Sequence, residues 1–224
     1  MWWVVAQKTG ASAHNLTDFM GFGSYETAWT WLHKLRRAMI RTGREKLSGT
    51  IEVDETYIGG NETGTENRGR GAEDKLLVVV AVECIGKQIA RVRFKIISDA
   101  TAENLIPFIE ETIESGSTVI TDGWKGYAPM CKRDDFQYVA KPIANSGKKA
   151  HELLPHVHLV DSLVKRWING THQGRISDKH LEYYLDEFAF RFNRKMSTYR
   201  GKLFYRLMQQ AVNTLPVTYK EITK

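Results

Sequence analysis

The chain has 224 residues, of which 42% are hydrophobic, so it can bury the core of one medium-sized domain and a small appendage. Lysine and arginine outnumber aspartate and glutamate by 32 to 26, and the resulting net charge of +6 favours a polyanionic partner without identifying one. No apolar run approaches the roughly 20 residues that cross a bilayer, which excludes a membrane-spanning helix and predicts a cytoplasmic protein.

Residues 1–48 have helical patterns and predict a small helix-turn-helix-like segment. Ser12 is placed to cap one short helix, and Ser24 opens a second helix that runs to about Arg41. Glycines in the sequence Gly21-Phe22-Gly23 separate the two helices. One face of the second helix is basic and predicts contacts with DNA phosphates, with an ordinary solvated face as the alternative. The side chains concerned are Lys34, Arg37 and Arg41.

After residue 49 the hydrophobic period changes to that of β-strands. Three segments have this pattern: residues 50–57, 75–84 and 89–97. Because one connection is a tight turn at Gly86, we expect an antiparallel meander. The polar, glycine-rich segment 61–74 predicts a loop, and its Arg68 and Arg70 are further candidates for DNA contacts.

The second half of the chain predicts a crossover helix, two short strands and a helical end. The corresponding segments are residues 101–114, 117–121, 136–139 and 156–210, with an interruption of the last at 170–177. Two cysteines, Cys84 and Cys131, cannot form a disulfide framework or a four-cysteine zinc ribbon. We expect both to be reduced, buried thiols.

Two aspartates are placed where carboxylates carry chemistry. Asp54 lies inside the first predicted strand, where aspartate is unfavourable, and Asp122 ends the fourth strand. If these strands are neighbours, both carboxylates project from one edge of the sheet and can hold hard divalent cations. The alternative for each residue alone is a strand-end or turn aspartate.

The third group lies on the predicted helix near residue 160. At about 100° per residue, His158, Asp161, Ser162 and Lys165 fall in one sector of the helix. Either the histidine or the aspartate can complete a metal site, and the lysine can contact phosphate, whereas the alternative is a polar surface stripe. Further basic side chains that extend a surface for DNA follow on this and the next helix: Arg166, Arg194 and Lys195.

Several segments together resemble the ISXO-like group of insertion-sequence transposases, in the DDE superfamily with its RNase H-like core. They are Ser24–Arg36, Val53–Gly60, Thr121–Tyr127, Ser162–Trp167 and Tyr184–Arg194. The resemblance implies that Asp54 and Asp122 are the first two catalytic acids and that Lys165 is the signature lysine. Alignment on this lysine places the third acid at His158, where a glutamate is usual, with Asp161 as the alternative.

The resemblance also implies two Mg²⁺ ions, replaceable by Mn²⁺, held by Asp54, Asp122 and His158. The implied partners are transposon ends and target DNA, bound by a homodimer or higher oligomer in the bacterial cytoplasm and nucleoid. Members usually begin with a zinc ribbon and a helix-turn-helix. We therefore expect an amino-terminally truncated chain.

The expected fold class is α/β, an RNase H-like mixed sheet of about five strands flanked by helices. The expected division is a DNA-binding remnant at 1–48, a catalytic domain at 49–210 and a tail at 211–224. The predicted function is metal-dependent cleavage and strand transfer at insertion-sequence ends. Two alternatives are a nuclease that only hydrolyses and a decayed element that only binds DNA; strand-transfer products and metal-dependent nicking discriminate between them.

Overall fold

The computed structural model describes residues 1–7, 9–40, 43–59, 75–142, 146–147, 149–172 and 176–223. Three of the arginines predicted to contact DNA, Arg41, Arg68 and Arg70, lie outside these residues. Within them, none of the helices combines the length and apolar character that a bilayer crossing requires.

A five-stranded mixed sheet forms the centre of the fold, in the order β3-β2-β1-β4-β5. The strands are β1 (Thr50–Ile58), β2 (Leu76–Ile85), β3 (Gln88–Ile97), β4 (Thr118–Thr121) and β5 (Gln137–Ala140). The first three pair as the predicted antiparallel meander, and β4 and β5 run parallel to β1. This order is the RNase H-like arrangement, so the expected fold class is confirmed.

Helices flank the sheet on both faces. They are α1 (Trp2–Ala6), α2 (Ala13–Met20), α3 (Tyr25–Arg37), α4 (Ala102–Thr112), α5 (Ala150–Leu153), α6 (Pro155–His172), α7 (Leu181–Phe192), α8 (Arg200–Val212) and α9 (Tyr219–Thr223). Short 3-10 helices cover Lys125–Lys132 and Asp178–His180. Cys131, on the first of these, is exposed and Cys84 is half-buried, so the prediction of two buried thiols was wrong for Cys131.

The amino-terminal helices begin and end at the residues that the sequence marks. The Ser12 hydroxyl accepts a hydrogen bond from the Asn15 N–H at 3.2 Å, and Ser24 caps α3 in the same manner. Gly21 ends α2 in the left-handed conformation, with φ of 65°. Helix α3 ends at Arg37, before the predicted end near residue 41, because the chain tightens there and the Met39 N–H bonds the Arg36 carbonyl at 2.9 Å.

Strand β2 is buried on both faces, which explains its unbroken apolar sequence. Val80 and Val82 pack against α6 and α7, whereas Val79 and Ala81 pack against α4 on the opposite face. The helical region predicted for 156–210, with one interruption at 170–177, is also interrupted at 193–199. There the Asn193 amide bonds both backbone groups of Val92 in β3 and holds the end of α7 against the sheet.

A third apolar cluster joins the two ends of the chain. Leu32 and Leu35 of α3 pack with Phe190 of α7 and Leu203 of α8. The helical segment 1–48 therefore shares a core with the carboxyl-terminal helices. In the segment predicted as a tail, Ile222 of α9 is also buried.

A buried ion pair stands at the centre of this junction. Glu187 is fully buried and accepts hydrogen bonds from Arg36 at 2.7 Å and from Arg191 at 2.9 Å. Burial alone would raise the pKa of Glu187, but the two guanidiniums outweigh it and hold the pKa at about 2. Arg36 also donates to the Ala11 carbonyl, so one charged group ties the α1–α2 connection to α3 and α7.

Replacing Arg36 by methionine should lower the free energy of unfolding by about 3 kcal/mol, because Glu187 stays buried with one guanidinium fewer. Lys95→Met is the matched control, since the Lys95–Glu111 pair is 46% and 72% exposed; we expect less than about 1 kcal/mol there. Urea unfolding measures both. Equal losses would show that the buried pair has no special role.

Candidate active site

The register between β1 and β4 brings the two predicted aspartates together. The parallel pairing runs from Thr50 opposite Thr118 to Glu52 opposite Ile120. Continued by two residues along each strand, the same register sets Asp54 level with Asp122. Asp54 lies on the same face of β1 as Ile58, which packs under α6, so its carboxylate is on the face that this helix covers. Asp122 lies in the turn that directly follows the end of β4 at Thr121.

Helix α6 brings His158 to the first aspartate. Its Nε2 lies 3.6 Å from Asp54 Oδ2. A pocket of about 130 Å³ opens between the strand and the helix, lined by Asp54, Glu55, Thr56, Val80, Val157, His158 and Asp161. A larger cavity of about 860 Å³ between the amino-terminal helices and α6 has no carboxylate among the described residues that line it. Of these two, only the small pocket is lined by carboxylates.

Asp161 and Lys165 form a separate hydrogen-bonded group with Thr56. The Thr56 hydroxyl donates to Asp161 Oδ1 at 2.7 Å. Lys165 Nζ donates to Thr56 Oγ1 at 2.7 Å and to Asp161 Oδ2 at 3.0 Å. Ser162, which helical spacing also assigned to this face, is exposed and donates to the His158 carbonyl. Both oxygens of Asp161 thus accept hydrogen bonds, one from Thr56 and the other from Lys165.

The charges around Asp54 oppose its ionisation. Burial raises the pKa of Asp54 to about 7, and the carboxylates of Glu55, Asp122 and Asp161 add to the shift. Burial likewise raises the pKa of Glu55 to about 6 and lowers that of His158, which favours the neutral imidazole. Carboxylate oxygens and a neutral ring nitrogen that share a site short of positive charge are a donor set that fits a divalent cation.

Three residues at or beside the site were not predicted from the sequence: Glu55, Thr56 and Tyr127. The buried Tyr127 hydroxyl donates to Glu55 Oε1 in a short hydrogen bond, on the sheet face opposite to Asp54. The available signal was the polar run Asp54-Glu55-Thr56 within a buried strand, because apolar alternation would leave at most every second position polar.

The contacts in the turn after β4 explain why glycines and a tryptophan occur there. Asp122 Oδ1 accepts the Trp124 N–H at 2.9 Å, and Trp124 Nε1 donates to the Ala100 carbonyl at 2.9 Å. Gly123 has φ of 79°. A Cβ on Gly126 would lie 2.4 Å from the Ala100 oxygen, so a side chain cannot fit. The turn therefore fixes the position of the Asp122 carboxylate.

The basic residues predicted to contact DNA divide into two groups. Lys34 and Arg37 on α3 and Arg166 on α6 are exposed. Arg194 instead stacks over Phe190 at 4.2 Å, and Lys195 Nζ donates to backbone carbonyls of β3. Because β3 is an edge strand separated from β1 by β2, this second group lies away from the aspartates.

The chain is similar to known proteins over most of its length. Residues 46–193 match the family described as the ISXO2-like transposase domain. The chain is 31% identical, over 188 aligned residues and 75% of its length, to an uncharacterized protein in transposable element ISH50 of Halobacterium salinarum, and it spans 60% of that relative.

Two solved structures are also similar, at low scores. A simian T-cell lymphotropic virus intasome in complex with PP2A regulatory subunit B56 gamma has a TM-score of 0.38 and 14% identity, over 78% of this chain and 67% of that one. A pre-cleavage Mos1 transpososome has a TM-score of 0.38 and 11% identity, over 94% and 76%.

The raised pKa of Asp54 predicts how stability depends on pH in the presence of a chelator. The folded state binds the Asp54 proton more tightly than the unfolded state, so this stabilisation is present at low pH and is lost as the pH rises through about 7. Asp54→Asn should flatten that decline and, at pH 8, exceed the wild type by roughly 2 kcal/mol. Asp134→Asn, at an exposed aspartate, is the control. Parallel wild-type and Asp54→Asn curves would contradict the assignment.

Proposed function

This chain belongs to the ISXO2-like transposase family, and from that premise we propose that it cleaves DNA at insertion-sequence ends and joins the 3′ ends to a target by divalent-metal-dependent phosphoryl transfer. The observation that supports the proposal is the 3.6 Å contact between His158 of α6 and Asp54 of β1, together with Asp122, which directly follows the neighbouring strand β4 and whose charge adds to the raised pKa of Asp54. Such a donor set suits polynucleotide cleavage and strand transfer.

Asp54 and Asp122 would hold the cations, two Mg²⁺ or Mn²⁺, through their carboxylate oxygens. When bound, divalent cations activate the attacking oxygen and compensate the charge on the departing 3′ oxygen. The Glu55 N–H donates to Asp54 Oδ1 at 3.0 Å, which orients that carboxylate from the strand itself. Lys165 is 42% exposed, so its ammonium can reach a phosphate while Thr56 and Asp161 hold it.

For the third ligand we propose His158 rather than Asp161. The imidazole Nε2 faces Asp54, whereas both oxygens of Asp161 already accept hydrogen bonds. Asp161 then acts as a positioning residue for Lys165. Because an imidazole nitrogen suits Mn²⁺ better than Mg²⁺, we expect activity with Mn²⁺ to be at least as high as with Mg²⁺.

We propose DNA as the partner, bound by an oligomer along the exposed basic side chains on α3 and α6. Lys34, Arg37 and Arg166 would contact phosphates, consistent with the net charge of +6. Such contacts fix the position of the duplex without reading its bases. Recognition of a particular end sequence therefore needs other contacts.

Asp54→Asn and Asp122→Asn should each reduce metal-dependent DNA cleavage by more than about 100-fold, because a neutral amide cannot compensate the charge of the cations. DNA affinity at fixed salt should change by less than about threefold, since phosphate contacts come from lysine and arginine. Asp134→Asn is the matched control and should cleave like the wild type.

Assays with an insertion-sequence end and a target plasmid separate the alternatives. Joined products support the transposase, and nicking without joined products supports a nuclease that only hydrolyses. DNA binding by the wild type without metal-dependent nicking would leave a decayed, DNA-binding element.

His158→Ala should reduce cleavage by more than about 100-fold with either cation, and His158→Glu should keep activity with Mg²⁺, because oxygen suits that ion. Asp161→Asn should cost about tenfold through the position of Lys165. Cleavage rates in Mg²⁺ and Mn²⁺ measure these effects. Wild-type rates for His158→Ala, or a larger loss for Asp161→Asn, would reverse the two roles.

A further inference from the structure

Three side chains that can bind a metal meet on the same sheet face as the candidate active site. They lie toward the start of β1 and of α6 relative to Asp54 and His158. Glu52 from β1, Cys84 from β2 and His156 from the start of α6 have ligand atoms that all lie within 4.8 Å of one another. Among the described residues no other group of three such side chains reaches this spacing, and that includes Asp54, Asp122 and His158. A pocket of about 350 Å³, also lined by Lys141 and Glu152, opens onto them.

Glu52 is held in place by the first turn of α6. Its Oε2 accepts the N–H groups of His156 at 2.8 Å and of Val157 at 2.9 Å. Its Oε1 lies 2.8 Å from His156 Nδ1. These bonds fix the carboxylate and the imidazole against each other before any ligand binds, so the two donors are preorganised.

The cysteine completes the group from the neighbouring strand. Cys84 pairs with Thr50 in the β1–β2 ladder, two residues along from Glu52 and on the same face of the sheet. Its Sγ donates only a weak hydrogen bond, at 3.5 Å, to the Val82 carbonyl. Rotation of the thiol toward a bound ion would therefore break only this weak hydrogen bond.

The described residues provide no lysine or arginine ion pair for Glu52. Glu52 is 4% exposed, and in the described part of the chain its ion-pair partner is His156, which is charged only when protonated. The nearby ammonium of Lys141 donates to the Leu153 carbonyl instead. A buried carboxylate in such surroundings is stabilised by a cation.

We propose that Glu52, Cys84 and His156 form a second metal site, which takes Zn²⁺ or a similar transition ion and is distinct from the Asp54 and Asp122 site. Sulfur and imidazole donors select Zn²⁺ over Mg²⁺, and three protein ligands leave the fourth position to water from the pocket. On binding, the thiol releases its proton to solvent. In the Nδ1–Oε1 hydrogen bond the imidazole is the donor, so neutral His156 moves this proton from Nδ1 to Nε2 before Nδ1 and Oε1 bind the ion. The bonds from the helix to Glu52 Oε2 stay in place.

The ion would connect the elements that carry the active site. Asp54 follows Glu52 by two residues on β1, and His158 follows His156 by two residues on α6. A bond network through one ion therefore fixes the strand and the helix whose side chains must meet. The inference goes beyond the proposed function, and its test uses no DNA.

Cobalt provides the test, on the full, reduced chain after treatment with a chelator. Co²⁺ should produce a thiolate-to-cobalt charge-transfer band that saturates at one equivalent, is abolished by Zn²⁺ and is unaffected by excess Mg²⁺. Cys84→Ser should lack the band. Cys131→Ser, which removes the exposed second cysteine, should retain it. Asp54→Asn should also retain it, because the two sites are separate.

A second variant protects the test against misfolding of Cys84→Ser, which circular dichroism detects. His156→Gln keeps the thiol and should weaken Co²⁺ binding by at least about tenfold. The proposal is overturned if the wild type shows no thiolate band, if the band persists in Cys84→Ser, or if Cys131→Ser or Asp54→Asn abolishes it. Wild-type affinity in His156→Gln would equally exclude this ligand set.

Discussion

Burial of carboxylates in the middle of the sheet is the constraint on which the rest of the structure depends. Strand β1 carries Glu52, Asp54 and Glu55 into the interior, where an ionised group without partners is costly. Glu52 caps α6, and Glu55 accepts the Tyr127 hydroxyl from the other face. Asp54, in the described part of the chain, accepts one hydrogen bond, from its neighbour's N–H. It is the acid whose charge a bound cation would compensate.

Helix α6 supplies the side chains that meet the carboxylates of β1 at the candidate active site. Its Val160 and Val164 pack on β2, which sets the helix across the sheet, while Glu52 fixes its first turn. With both restraints in place, helical spacing alone directs His158 to Asp54 and the Asp161 to Lys165 turn toward Thr56. The same first turn presents His156 to Cys84. One helix thus carries residues of the candidate active site, the lysine proposed to contact phosphate and a ligand of the proposed zinc site.

The junction of the two chain ends has a different physical basis. Arg36 and Glu187 are separated by 151 positions in sequence, yet they form a pair that excludes water. Apolar contacts around Leu32 and Phe190 surround this pair. The amino-terminal helices, with their exposed basic face, are therefore fixed relative to α7 and not carried on a free linker. A surface fixed in this way can hold a duplex at a defined distance from the sheet.

The sequence by itself determined what depends on local periodicity: the five strands, the caps at Ser12 and Ser24, the position of Asp54 within a strand and that of Asp122 directly after another. These follow from alternation and turn chemistry, which act between near neighbours. Strand order decided the rest, since the parallel pairing of β4 with β1 is what makes the strand before Asp122 a neighbour of the strand that carries Asp54.

Only the tertiary structure decided which polar groups are partners. Nothing in the spacing of Glu52, Cys84 and His156 links them, because they lie on three elements up to 104 positions apart. Tyr127 reaches Glu55 across 72 positions, and Arg36 reaches Glu187 across 151. Such pairings depend on how helices dock on the sheet, and docking is set by the summed burial of many side chains. The pattern of residues along the chain does not show which helix face and which part of the sheet bury the most surface together.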